Sequence, residues 1–212
     1  MSDIILYGDP RSTYFRTARI AAEEKGLSYD MVATSEAGRD YGEIHPYGKI
    51  PAMAHGDITI YETAGIVSYI NEAFDGPALV PEGALEKALT WQWVSAVNDY
   101  FYPTMIRDYV LQYVFPKGAG GQPDMAAIQA ALPDVKHHVM VLDAALADRD
   151  FVAGDRFTIA DMFICPIMTY LGRMPEASEI FADCSNIGRA GEAVMARPSY
   201  QVTMPPMADA AE

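Results

Sequence analysis

Cations are scarce in this sequence. Its 212 residues carry 15 lysines and arginines against 29 aspartates and glutamates, a formal net charge of -14. Only five of the cations are lysines: Lys25, Lys49, Lys87, Lys117 and Lys136. No basic run or tail is present, so nucleic acid and anionic membrane surfaces would be repelled over most of the surface. An anion must then be held by a few local groups and by backbone amides. Cysteine is as sparse: Cys165 and Cys184 form no Cys-x-x-Cys and lack the spacing of zinc ligands. The four histidines are scattered, and adjacent His137 and His138 would point to different sides of a helix, so no metal site is expected. Long apolar runs are also missing. Phe163 to Leu171 falls far short of the ~20 residues that span a bilayer. The start, Met1 to Tyr7, has neither the basic region nor the apolar length of a signal peptide. These absences predict a reducing, cytoplasmic setting with no membrane and no nucleic-acid partner.

What is present is a well-patterned globular chain, with 50% hydrophobic and 21% charged residues. At about 150 residues per domain the length suggests one large domain or two small ones. Ile4 to Tyr7 reads as a strand followed by the turn Gly8-Asp9-Pro10. Residues 12–25 put Phe15, Ala18, Ile20, Ala21 and Ala22 on one side of a helix that Gly26 stops. Tyr29 to Ala33 is a second strand, and a strand–helix–strand unit implies a parallel pair. Pro51 to Ala54 and Ile58 to Tyr61 flank Gly56-Asp57 as a hairpin, and a helix runs from about Glu62 to Phe74. The order βαβαββα predicts a thioredoxin-like α/β domain over residues 1–76. Residues 77–83 form a linker, after which strand patterns disappear. Helices are expected over 84–115, kinked at Pro103, and over about 124–148, 158–172 and 185–196. The fold class is thus α/β plus all-α: an all-helical C-terminal domain over 84–200, then a loosely docked tail over 201–212.

Four segments carry chemistry or its scaffold: Tyr7-Gly8-Asp9-Pro10-Arg11-Ser12, Lys49-Ile50-Pro51-Ala52, Tyr61-Glu62-Thr63-Ala64-Gly65-Ile66, and Phe151 to Asp161. Their order and spacing resemble a cytosolic glutathione S-transferase over nearly the whole chain, from about residue 3 to 200. Gly8-x-Pro10-x-Ser12 followed by Arg19-Ile20-Ala21 looks like the serine-type phi and zeta classes, here as a bacterial member. The resemblance implies a homodimer that detoxifies a small hydrophobic electrophile, with glutathione as co-substrate and no other cofactor. Where phi enzymes carry a His-Lys pair on the second-helix segment, this chain has Glu36-Ala37, which leaves the glycyl end of the ligand unassigned.

Each segment can be asked what it would do for a γ-Glu-Cys-Gly tripeptide. The resemblance implies a cis peptide at Ile50-Pro51, with the Ile50 backbone pairing the cysteinyl moiety like an added strand. Thr63 is a preferred type of helix cap, and a helix N-terminus with free amides is a carboxylate site. By resemblance Thr63 holds the γ-glutamyl carboxylate, Glu62 lies near its ammonium group, and Lys49 is a candidate for the glycyl carboxylate. Ser12 starts the first helix, where the helix end favours an anion by ~0.3–1 kcal/mol and a hydroxyl bond to charge adds ~1.5–3 kcal/mol. Together these would lower a thiol pKa of ~8.5 by about 1–3 units, without a general base. Tyr7 is the rival, as in tyrosine-type classes, and Thr13 a weaker one. Thr158-Ile159-Ala160-Asp161 reads as a capping box flanked by a Phe157–Met162 staple. By resemblance Tyr102, Met105, Ile106 and Tyr109 line the electrophile pocket, although a Met and aromatic stripe also suits a core.

Overall fold

The computed structural model describes residues 3–205, which divide into two units: the chain up to Val80 together with the residues from Met195 onward, and Pro81–Val194. In chain order the first unit contains β1 (Ile4–Tyr7), α1 (Thr13–Glu24), β2 (Asp30–Val32), α2 (Tyr41–Ile44), β3 (Ala52–His55), β4 (Ile58–Tyr61) and α3 (Thr63–Ala73). This is the expected βαβαββα order. The sheet runs β2-β1-β3-β4, with β1 parallel to β2 and antiparallel to β3, and β3 antiparallel to β4.

Strand periodicity decides which side of the sheet each residue serves. Leu6 is fully buried, as are Phe15 and Ile20 of α1 and Ile66 and Ile70 of α3, on the side where those two helices pack together. Ile5 and Tyr7 point the other way, into a cluster with Ile44, Ala52, Val32 and Tyr41. Each fully buried side chain of this size contributes about 1.5–3 kcal/mol. Gly8 is obligatory at the strand's exit, because a Cβ there would stand 2.3 Å from the Phe15 ring. At the far end of α1, Lys25 donates to the carbonyls of Asn71 (2.9 Å) and Phe74 (3.0 Å), satisfying carbonyls at the C-terminal end of α3.

The second unit is helical: α4 (Ala84–Ala96), a π-helical stretch Val97–Val110, α5 (Leu111–Val114), α6 (Met125–Ala145), α7 (Ile159–Leu171), α8 (Ala177–Ile180) and α9 (Ser185–Met195). Its boundary at Val80 and Pro81 lies inside the expected linker. Around Pro103, which lacks an N–H, the helix widens to i→i+5 bonding. The box at the start of α7 is formed as expected. Asp161 accepts from the Thr158 amide (2.8 Å), the Thr158 hydroxyl (2.9 Å) and the Val152 amide (2.9 Å). Burial pushes its pKa up to about 6 even though these bonds lower it. Cys165 and Cys184 are buried and not joined in a disulfide. Among the described residues no helix is long and apolar enough to cross a membrane.

The end of the chain departs from the expected boundaries. Residues from Met195 onward group with the first unit rather than the helical one, and α10 (Pro198–Val202) packs on α1. Residues 201–205 of the expected tail are therefore part of a packed segment; 206–212 lie outside the described residues. The reason is a set of buried polar contacts that a local sequence pattern does not encode: Arg16 of α1, for instance, donates to the Tyr200 carbonyl at 3.1 Å.

Candidate active site

Sheet register gathers the three N-terminal segments. Tyr7 pairs with Ala52, and Ala52 with Tyr61, so the end of β1, the start of β3 and the end of β4 lie side by side. The residues just beyond them, Gly8 to Ser12, Lys49 to Pro51, and Glu62-Thr63, therefore emerge at one end of the sheet.

Ser12 is the N-cap of α1, with extended backbone (φ -71°, ψ 130°) and a hydroxyl that accepts from the Phe15 amide at 3.3 Å. That bond uses one lone pair and pins Oγ at the helix end, while a hydroxyl keeps an O–H to donate. The approach is a tight turn: the Ser12 amide donates to the Asp9 carbonyl at 2.9 Å, and Arg11 donates to the Asp9 carboxylate through its amide and guanidinium. The Arg11 side-chain bond outweighs burial and holds the Asp9 carboxyl below its usual range. Ser12 is half-buried. Thr13 is buried inside the first turn, its carbonyl accepting from the Thr17 hydroxyl at 3.1 Å. Tyr7 is buried on the far face of the sheet, edge-on to Tyr41 with centroids 6.3 Å apart.

The Ile50–Pro51 peptide is cis, as expected. Ile50 is half-buried and Lys49 exposed; the Lys49 carbonyl accepts from the Tyr41 hydroxyl at 2.8 Å. Glu62 is the N-cap of α3 and exposed, with no side-chain cap bond, whereas Thr63 is buried. The first amides of α3 consequently remain without the side-chain acceptor that usually takes one of them. Among the described residues Glu62 is the one non-glycine with positive φ, at 66° with ψ 125°. Such a conformation costs about 1–3 kcal/mol and gathers at ligand sites. Glu36 and Arg39 are exposed, and Ala37 packs against the Tyr7 cluster.

An aromatic group beside these segments escaped sequence reasoning. The His45 ring lies 5.1 Å from that of Tyr61 and 6.2 Å from that of Tyr47, and Tyr41 stacks on His45 at 6.4 Å. Burial, and then the neighbouring Tyr7, push the Tyr41 pKa up to about 12. Its signal in the sequence is the run of rings Tyr41, His45 and Tyr47 just before the Ile50–Pro51 step. In the helical unit Tyr102 is half-buried and its pKa is raised by burial. Met105, Ile106 and Tyr109 are buried, and Tyr109 donates to the Glu176 carboxylate at 2.6 Å. Three of the four residues expected to face an electrophile are thus core residues here.

Residues 6–78 match the family model described as glutathione S-transferase, N-terminal domain, and residues 88–198 the one described as glutathione S-transferase, C-terminal domain. Glutathione S-transferase 3 of Zea mays is 28% identical over 211 residues, covering 96% of this chain and 94% of its own length. The solved structure of glutathione S-transferase III in apo form is similar with a TM-score of 0.83 at 30% identity, covering 97% of this chain and 99% of that one. The theta class glutathione S-transferase of Xanthomonas axonopodis pv. citri, solved with glutathione bound, gives 0.78 at 26% identity and covers 100% of both chains.

Proposed function

Because this chain belongs to the glutathione S-transferase family of enzymes, we propose that it joins the thiolate of glutathione to soft electrophiles, with Ser12 stabilising that thiolate. The observation that carries this reading is the Ser12 hydroxyl, pinned at the N-terminus of α1 at the end of the sheet where Glu62-Thr63 and Ile50-Pro51 also emerge. The uncapped amides of α3 and the Thr63 hydroxyl take the γ-glutamyl carboxylate, as helix N-termini take anions. The Glu62 carboxylate faces the ammonium group, and the Ile50 backbone pairs with the cysteinyl peptide. Lys49 is the candidate for the glycyl carboxylate.

The thiol proton leaves to solvent, and the Ser12 O–H donates to the sulfur anion. The thiolate then forms the S–C bond at the electrophilic carbon. The carbon's leaving group departs with its electron pair, or an added carbanion takes a proton from water. Ser12 needs to accept no proton, because stabilising the anion already shifts the ionisation. The protein works as a homodimer in the cytoplasm, and exposed Tyr47, Ile58 and Tyr61 supply apolar surface for the second copy.

Retention on immobilised glutathione, followed by conjugation to an activated aryl halide, tests the reading. Retention with turnover supports it. Retention without turnover favours a second reading, a relative that keeps the fold without catalysing conjugation. Isomerisation that needs glutathione but does not consume it makes it zeta-like. Failure to be retained refutes the glutathione site.

A further inference from the structure

The helix that presents Ser12 also carries two buried arginines to which the chemistry above gives no role. Arg16 and Arg19 are 1% and 7% exposed. A buried guanidinium persists only where its N–H groups find acceptors, and here residues 200–204 supply most of those observed, with the Tyr29 hydroxyl accepting from Arg19 Nε at 3.3 Å. Arg16 Nη2 donates to the Tyr200 carbonyl (3.1 Å) and lies 3.0 Å from Met204 Sδ, and Arg16 Nε reaches Thr203 Oγ1 at 3.5 Å. Arg19 donates to the Val202 carbonyl (3.2 Å) and the Thr203 carbonyl (3.4 Å). These carbonyls close α10, where intrahelical donors run out, so two side chains of α1 cap a different helix. The Tyr200 ring adds a cation–π contact, its centroid 4.4 Å from Arg16 Cζ. At the other end of α1, the Glu24 carboxylate takes Arg197 Nε at 2.9 Å and the Ser199 hydroxyl.

Residues 197–204 therefore grip α1 from its first turn to its last. The two grips are not equivalent. Arg16 is the fourth residue of the helix, and its amide donates to the Ser12 carbonyl at 2.9 Å. That is the first bond of the helix and the one that sets where the cap residue sits. We propose that residues 197–204 act as a clasp that fixes the N-terminal turn of α1, with Arg16 as a positioning residue for the Ser12 hydroxyl. The inference rests on the reading of Ser12 above for its effect on rate, but not for its effect on the helix.

The test uses the full chain and compares Arg16→Met with Glu24→Gln, which loosens only the distal grip. Displacing the Ser12 hydroxyl can cost at most what removing it costs, roughly 3- to 20-fold in rate. Arg16→Met should therefore lower kcat for aryl halide conjugation by about 3- to 20-fold with KM for glutathione changed less than about threefold, because α3 binds the glutamyl end. Arg16→Lys should recover part of kcat. Glu24→Gln should lower the melting temperature yet keep kcat within about threefold. Amide hydrogen exchange reads the clasp without substrate: in Arg16→Met the Phe15 and Arg16 amides should exchange at least about tenfold faster, with the Met53 amide of β3 unmoved. Unchanged kcat with a lowered melting temperature would make Arg16 merely structural, and equal losses of kcat in Arg16→Met and Glu24→Gln would remove its positional role. Should Arg16→Met fail to fold, Tyr200→Leu removes the ring and is read in the same two ways. A parent without conjugation would sink the Ser12 reading, while the exchange result would still decide the clasp.

Discussion

Replacing Ser12 by alanine separates two jobs that one hydroxyl performs. As N-cap it accepts from the Phe15 amide, and losing a cap costs about 0.5–2 kcal/mol of stability. As thiolate donor it supplies ~1.5–3 kcal/mol, against ~0.3–1 kcal/mol from the helix end, which the variant keeps. With a free thiol near ~8.5 and ~1.36 kcal/mol per pKa unit, bound glutathione should ionise at about 5.6–7.2 in the parent and about 7.8–8.3 in Ser12→Ala. At pH 7 the thiolate fraction then falls from about 40–95% to about 5–15%, so turnover drops roughly 3- to 20-fold through ionisation alone. Glutathione affinity should hardly change, because the hydroxyl distinguishes thiolate from thiol and adds little to the neutral form. Raising the pH toward 9 should restore most of the activity. Thiolate absorbance of the bound tripeptide, titrated from pH 5 to 10, reads the shift directly, with Tyr7→Phe as control. A curve unmoved in Ser12→Ala but moved in Tyr7→Phe would refute the assignment and transfer it to the tyrosine.

Glu62→Gly should stabilise the protein by about 0.5–2 kcal/mol, as relief of the positive-φ strain exceeds the ~0.5–1 kcal/mol of added chain entropy, while weakening glutathione binding; thermal melts and calorimetry on one preparation check both signs. Thr63→Ala should weaken glutathione binding by about 1–3 kcal/mol, and calorimetry giving the parent's affinity would displace the glutamyl end from α3. Thr158→Ala should cost about 0.5–2 kcal/mol in denaturant unfolding and leave kcat at the parent's value. Asp161 titrates at about 6 when folded and ~3.9 when unfolded, so its contribution to stability is complete below about pH 4 and is lost as pH rises through 6. The stability gap between parent and Asp161→Asn, followed by urea unfolding from pH 4 to 7.5, should accordingly narrow with rising pH.

By itself the sequence determined what local physics determines. The apolar run Ile4 to Tyr7, the apolar side of residues 12–25, the stop at Gly26 and the Thr158–Asp161 box act over one strand or a few helical turns, and the observed elements follow them. The order of elements restricts the sheet's connections, because a strand–helix–strand unit must place its strands parallel. The candidate site was legible in part: Ser12 at the start of α1 is a short pattern with a local cause, whereas the cis Ile50–Pro51 peptide was implied by the family resemblance and not by the local pattern. Tertiary structure decided the rest. Pairing of Tyr7 with Ala52 and Ala52 with Tyr61 brings three distant segments to one edge, and the positive φ of Glu62 arises where β4 must turn into α3. Whether Met105, Ile106 and Tyr109 face a ligand or a core depends on which helices pack over them, and here they are buried. The docking of α10 was least legible of all. Arg16 meets the Tyr200 carbonyl across 184 residues of chain, and backbone carbonyls look alike in every sequence, so only the folded packing shows which of them a buried guanidinium will find.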